Sequence, residues 1–124
     1  MVTEASEQAK IIVRAFQMGY ALWRNNSGVA REEHRHVRFG LGNDSAKINK
    51  KWKSCDLVGV GPDGRMLMVE VKKQGWVFTG TEREVAQANA INQVNALGGI
   101  AFFCSSVEEF ETIITGCLSK RSGI

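Results

Sequence analysis

Two short apolar runs separated by Gly61-Pro62-Asp63-Gly64-Arg65 constrain the fold more than any other stretch of this chain. The runs are Cys55-Asp56-Leu57-Val58-Gly59-Val60 and Met66-Leu67-Met68-Val69-Glu70-Val71-Lys72, both rich in β-branched and aliphatic residues. Proline presets the backbone angle of a turn and glycine supplies a left-handed one, so Pro-Asp-Gly between such runs predicts a β-hairpin. Each strand then carries one anomaly, Asp56 at the head of the first and Glu70 inside the second. Side chains alternate along a strand, which puts Glu70 on one face with Met68 and Lys72 and opposite to Val69 and Val71.

Whether the acids meet depends on the turn. A three-residue loop, Pro62-Asp63-Gly64 closed by Gly61 and Arg65, sets Asp56 across from Glu70 with Cβ atoms ~5 Å apart. A two-residue Asp63-Gly64 loop turns Asp56 to the other side unless a bulge restores the register. If they meet, the carboxylates and a backbone carbonyl such as that of Val71 supply hard oxygen ligands for Mg²⁺ or Mn²⁺. Lys72 can then orient an attacking water or stabilise charge on a phosphoryl group, a pattern suited to phosphodiester hydrolysis. The plain alternative is a polar stripe on a half-buried sheet.

Around the hairpin, apolar residues from Ile11 to Leu22 recur at helical spacing and predict a helix over about residues 4 to 23. Asn25-Asn26-Ser27-Gly28 reads as a stop, His36 to Leu41 as a strand, and 42 to 53 as a polar loop. Thr81-Glu82-Arg83-Glu84 has capping-box spacing and opens a second helix to about Leu97, with Val85, Ala88, Ile91, Val94 and Ala96 or Leu97 inward. Ile100 to Cys104 suits a buried central strand. Ser106 caps a third helix holding Phe110, Ile113, Ile114 and Leu118, and Ser119 to Gly123 is expected to fray. The order is α-β-β-β-α-β-α.

At 124 residues, 44% hydrophobic and 23% charged, the chain is expected to form a single domain, residues 1-124, with no membrane span. Without a signal-peptide pattern a cytoplasmic location follows by default. The three cysteines are odd in number and widely spaced, which fits small buried hydrophobes better than disulfides or zinc. The net charge of +3 is uneven: Arg31, His34, Arg35, His36, Arg38, Lys47, Lys50, Lys51 and Lys53 face only Glu32, Glu33 and Asp44 between residues 31 and 53. Such a footprint suits a polyanion.

Trp23-Arg24-Asn25-Asn26-Ser27-Gly28, Arg38-Phe39-Gly40-Leu41, Ser54 to Val60, Gly64-Arg65 through Glu70-Val71-Lys72, Gln87 and Gly98-Gly99-Ile100-Ala101 follow one another in a specific order over about residues 4 to 110. In that order the chain resembles the PD-(D/E)XK, or restriction-endonuclease-like, nuclease superfamily. Within it the chain is most similar to the VRR-NUC branch, found as small phage-encoded proteins and as a module of larger DNA-repair nucleases. The resemblance implies an α/β fold with an αβββαβ core, a mixed central sheet flanked by helices, and here a C-terminal helix. It also implies metal ligands at Asp56 and Glu70, a catalytic lysine at Lys72, a helix glutamine at Gln87 facing the site, and an acid on the first helix. Glu4 and Glu7 both qualify for that acid, with Glu4 preferred. Two departures stand out: residues 43 to 53 make a longer, more basic lead into Asp56, and Cys55 replaces the family's occasional proline.

The expectation is a Mg²⁺- or Mn²⁺-dependent DNA endonuclease, working as a homodimer, with four-way junctions as the attractive substrate. A flap or nicking nuclease and a noncatalytic nucleic-acid-binding module of the same fold are the alternatives. Arg24, Asn25, Arg38, Lys50, Lys51 and Lys53 are the expected phosphate contacts, and Trp52 in its lysine-rich loop is the expected base-stacking side chain. Trp23 is expected in the core at a helix end. His34 and His36 are too few for a metal site, and the Thr79-Gly80-Thr81 amides form either a phosphate seat or an ordinary helix cap.

Overall fold

The computed structural model describes residues 3–122, with side chains as far as residue 117. Helix α1, Glu4–Gln17, opens with Thr3 and Ser6 bonding each other's amides in a capping box. It stops six residues short of the end its periodicity predicts. Gly19 takes a left-handed backbone (φ +87°), Tyr20 N–H donates to Ala15 O, and the chain leaves as strand β1, Ala21–Arg24. Tyr20 and Leu22 are buried while Trp23 is 51% exposed, so the period here is two and Trp23 is not a core residue. The helical and strand periods coincide at Leu22, which is why the apolar pattern alone overran.

Strands β2, Gly28–Glu32, and β3, Arg35–Phe39, form a two-stranded ribbon apart from the main sheet, where the sequence showed a single strand. Helix α2, Ala46–Asn49, is one capped turn inside the stretch read as loop. Strands β4, Leu57–Val60, and β5, Met66–Val71, are the hairpin. Its loop has three residues: Gly61 N–H donates to Arg65 O at 2.8 Å, and Gly64, at φ +84°, supplies the left-handed step that a Cβ would strain. Leu57 therefore pairs with Val69 and Val58 with Met68, the register that points Asp56 at Glu70.

Helix α3, Glu82–Ala96, returns the chain to strand β6, Ile100–Cys104, which lies parallel to β5, and helix α4, Val107–Ser122, completes the chain. Strand order is β1-β4-β5-β6, a mixed four-stranded sheet flanked by helices, as expected, but β6 lies at its edge and not at its centre, with Phe102 and Phe103 half-buried. Leu57, Leu67, Val69, Val71 and Ile100 face α1 and α4, whose Ile11, Ala15, Phe110 and Ile114 complete that core. Val58, Met68 and Ala101 face Ala90, Ile91 and Val94 of α3. Each large apolar side chain so enclosed contributes roughly 1.5–3 kcal/mol.

Helix α3 is rotated from the expected orientation. Val85 and Leu97 are exposed and Ala96 lies outside, while Ala86, Gln87, Ala90, Ile91 and Val94 face in. Alanines at 86 and 90 let the backbone approach the sheet, and Gln87 is accepted there because Lys72 meets it. Ser106 caps α4 as expected, donating nothing and accepting Glu109 N–H at 3.1 Å. The helix continues to Ser122, past the expected fraying at Ser119; the Leu118 side chain and Gly123 lie outside the described residues. Cys55 and Cys104 are buried and Cys117 half-buried, all unpaired. Among the described residues no helix is long and apolar enough to cross a membrane.

Gly59 lies across from Leu22 in the β1–β4 pairing, and a Cβ built there would sit 1.8 Å from Ala21 O. Gly59→Ala is expected to force β1 off β4 and to lower stability by about 2 kcal/mol or more, measured by urea unfolding. An unchanged midpoint would mean that the strands are not so closely apposed.

Candidate active site

The β4–β5 ladder ends at Leu57 and Val69, and the next pair along is tied by its side chains. Asp56 N–H donates to Glu70 Oε1 at 3.1 Å, and Val71 N–H donates to Asp56 Oδ2 at 3.2 Å. Each carboxylate thus holds the other strand's backbone, and the two are fixed side by side on the α3 face. Glu70 is 4% exposed. Burial first, then the neighbouring Asp56 charge, pushes its carboxyl up to about 8.

Lys72 stands next on the same face. Its Nζ donates to Gln87 Oε1 at 2.9 Å, lies 3.7 Å from Glu70 Oε2, and sits 5.5 Å from the Trp76 ring centroid and 5.8 Å from that of Phe103. Two aromatic faces, an amide and a carboxylate fix the ammonium in one place. Gln87, buried to 1% exposure, reaches it from α3, so the glutamine does face the site.

The aromatic wall is held in turn by Glu84. Its carboxylate accepts the Trp76 indole N–H at 2.8 Å and, at 3.1 Å each, the Thr79 amide, the Thr79 hydroxyl and the Thr81 amide. The Thr81 amide foremost, with the indole and both Thr79 donors, outweighs burial and holds this carboxyl down at about 2. Amides of Thr79 and Thr81 committed to Glu84 leave no phosphate seat at that helix start, and the capping role is the one realised.

Asp56, Glu70 and Gln87 line a cleft of about 190 Å³ that Arg38, Lys53 and Arg83 also line. Neither Glu4 nor Glu7 lines it; both border a neighbouring cleft with Lys72 and Lys73. Glu4, the preferred first-helix acid, is exposed, whereas Glu7 is buried and accepts Val107 N–H at 3.1 Å and Lys10 Nζ at 3.3 Å. Among the described residues no group of three or more His, Cys, Asp or Glu is gathered for a metal. The donor set nevertheless fits a hard divalent cation: a cation between two adjacent carboxylates, one of them buried, removes the repulsion that lifts Glu70. The Val71 side chain is buried on the other face of the sheet, so its backbone carbonyl alone is available as a ligand.

The expected nucleic-acid contacts divide. Arg24, Lys50 and Lys51 are exposed. Arg38 and Lys53 border the cleft. Asn25 also lines the cleft, with its amide spanning Ser54 Oγ (2.8 Å), Cys55 O (2.9 Å) and Leu41 N–H (3.2 Å), and its backbone N–H donating to Asp56 O at 2.7 Å. It positions the strand that carries Asp56. Trp52 is likewise a packing residue: it lies half-buried against the α3-side core, over Gly42, and its indole N–H donates to Gln93 Oε1 at 2.7 Å. His34 lies in the β2–β3 turn and His36 on β3, so the two do not share a strand face.

Sequence reasoning missed Arg83, Glu84 and Trp76. Arg83 stands one helical turn before Gln87, a spacing that puts both on one face of α3 and that was legible once Gln87 was placed. Burial pushes the Cys55 thiol up, and that of Cys104 to about 12, so neither is a nucleophile at neutral pH. No protein-family model matches the chain, and neither does any curated protein.

Two measurements check these electrostatics. The depressed Glu84 carboxyl stabilises the fold fully above pH 4.5 and loses that contribution as pH falls toward 2. Wild type should therefore be more stable than Glu84→Gln at pH 6, with the gap closing between pH 4.5 and 2; a constant gap would count against it. With divalent cations chelated at pH 8, Glu70→Gln should raise stability by about 1–2 kcal/mol by removing a buried charge beside Asp56. A drop in stability would mean that the carboxylates do not repel.

Proposed function

We propose that this chain is a metal-dependent nuclease of the PD-(D/E)XK type, close to the VRR-NUC branch, that hydrolyses DNA phosphodiester bonds. The observation that carries this reading is the hairpin register: the pairing of Leu57 with Val69 sets Asp56 against Glu70, with Lys72 next on the same face. An acid pair open to a cleft with cations in its lining, and a fixed ammonium beside it that borders the adjoining cleft, suits hydrolysis of a phosphate diester.

Asp56, Glu70 and the Val71 carbonyl would hold Mg²⁺ or Mn²⁺. When bound, the ion supplies Lewis acidity toward the phosphoryl oxygen and makes a water more acidic. Asp56 and Glu70 are kept in place by the backbone amides they accept, so little reorganisation is needed to bind a cation. Lys72, held against Gln87 and the two aromatic rings, orients the attacking water and offsets negative charge growing on the phosphoryl oxygens. Gln87 is a positioning residue: its Oε1 fixes the ammonium on the side of Glu70. Single-site geometry of this kind cuts one strand at a time, and a homodimer would cut both strands of a duplex or a four-way junction.

The test is cleavage of labelled linear duplex, single-stranded, flap and four-way-junction DNA with Mg²⁺ or Mn²⁺ and with chelator. Metal-dependent cutting is expected, falling by about 100-fold or more in Asp56→Asn, Glu70→Gln and Lys72→Met. The substrate cut fastest names the structural preference, and sedimentation of the same preparation reads the subunit number. A folded wild type that binds DNA and cuts none of these would replace this reading with a noncatalytic binding module.

A further inference from the structure

Three cations line the cleft that holds the acid pair, from three separate elements. Arg38 comes from β3, Lys53 from the segment after α2, and Arg83 from the first turn of α3. None of them is in an ion pair with a carboxylate among the described residues. Their polar partners are neutral amides. Arg38 Nε and one terminal nitrogen donate to the backbone and side-chain oxygens of Asn43 at 3.0 and 2.7 Å, and Lys53 Nζ donates to Asn49 Oδ1.

These partners fix Arg38 and Lys53 without neutralising them, while Arg83 stands exposed at the start of α3. Asn43 is buried and anchored by its own Nδ2 to Gly28 O and Phe39 O, and Lys53 N–H is tied to Ala86 O on α3. Arg38 keeps three of its five N–H donors for a ligand. The same crowding lowers the Lys53 ammonium, through burial first and then the Arg83 and Arg38 charges. Like charges held together by neutral groups are repulsive until an anion enters between them. The two carboxylates of the cleft, Asp56 and Glu70, are occupied with each other and with Lys72.

We infer that Arg38, Lys53 and Arg83 form one seat for a single phosphate of a polynucleotide backbone, the neighbour of the phosphate presented to Asp56 and Glu70. The inference rests on the nuclease reading for its substrate and adds a requirement to it: the ligand must carry at least two successive phosphodiesters. A terminal phosphate or a mononucleotide fills half of the cleft and binds weakly. Arg83 contributes through its charge and its place above Gln87, and is a binding residue with no part in the chemical step.

Binding of fluorescent single-stranded and duplex oligonucleotides is measured by anisotropy in chelator, where nothing is cut, at roughly 50 to 200 mM salt. Arg83→Gln and Lys53→Gln are compared with wild type, each checked for an unchanged thermal midpoint, and Arg83 is exposed enough for that check to pass. Each variant should weaken binding about 5- to 10-fold. Because three cations share one phosphate and the double variant keeps Arg38, it should reduce the slope of log K against log salt by no more than about 0.7 to 0.9 in all, the value for one phosphate. Replacing single phosphates by methylphosphonate should reveal one position that weakens wild type and has no further effect on the double variant.

A slope reduction near two, or no such position, would overturn the single seat. Unchanged affinity in both variants, or no binding by wild type, would overturn it as well. The nuclease reading fails separately: a chain that shows the slope change but cuts nothing retains the seat without the chemistry, and one that cuts normally with an unchanged slope retains the chemistry without the seat.

Discussion

The crossed bonds between Asp56 and Glu70 are the constraint on which the rest of the site depends. A β-ladder normally ends in amides that look for partners, and here two carboxylates supply them, each accepting from the opposite strand. The same bonds that finish the hairpin also hold like charges together, at the cost of a Glu70 carboxyl lifted far above its usual range. Folding and electrostatic tension are therefore set by one pair of side chains. A neighbouring strand reinforces the arrangement, since Asn25 binds both the Asp56 carbonyl and the two residues before it.

Lys72 shows the complementary strategy. Its ammonium is nearly buried; an amide oxygen at 2.9 Å, the Glu70 carboxylate at 3.7 Å and two aromatic faces share the charge. Such an environment keeps the cation desolvated and directed without cancelling it. Glu84, remote from the cleft, holds Trp76 and so stiffens this environment through the loop between β5 and α3. The tilted Trp76 and Phe103 rings, 5.0 Å apart, couple that loop to the central sheet.

Elements governed by local chemistry were legible in the sequence. The Pro-Asp-Gly turn and the Thr81 and Ser106 caps depend on residues next to each other and appear as expected; the apolar run of β6 forms a strand, but at the sheet edge and not at its centre. Elements governed by distant partners were not. Of the β2–β3 ribbon only the second strand was legible, because β2 is exposed along almost its whole length and leaves no apolar alternation to detect. The face of α3 was misjudged because Val85 and Leu97 look like inward residues by their apolar character, whereas Lys72 on another strand draws Gln87 and its neighbour Ala86 inward. Of the site, Asp56, Glu70, Lys72 and Gln87 were readable as a group, and Arg83 was lost among the charges of an ordinary helix face.

The ribbon of β2 and β3 hangs from the body of the protein at its root. Asn43 binds the Gly28 carbonyl on one strand and the Phe39 carbonyl on the other, where the two strands leave the domain, and Arg38 locks Asn43 from the side. Beyond that clasp the strands pair with each other and with no strand of the main sheet. The ribbon is thus a cantilever, clamped at its base. Its length can grow or shrink by whole residue pairs at Glu33 and His34 without transmitting a shift to the hairpin that holds the acids. Variation in reach is mechanically separated from the chemistry, and the clasp at Asn43 is the joint that separates them.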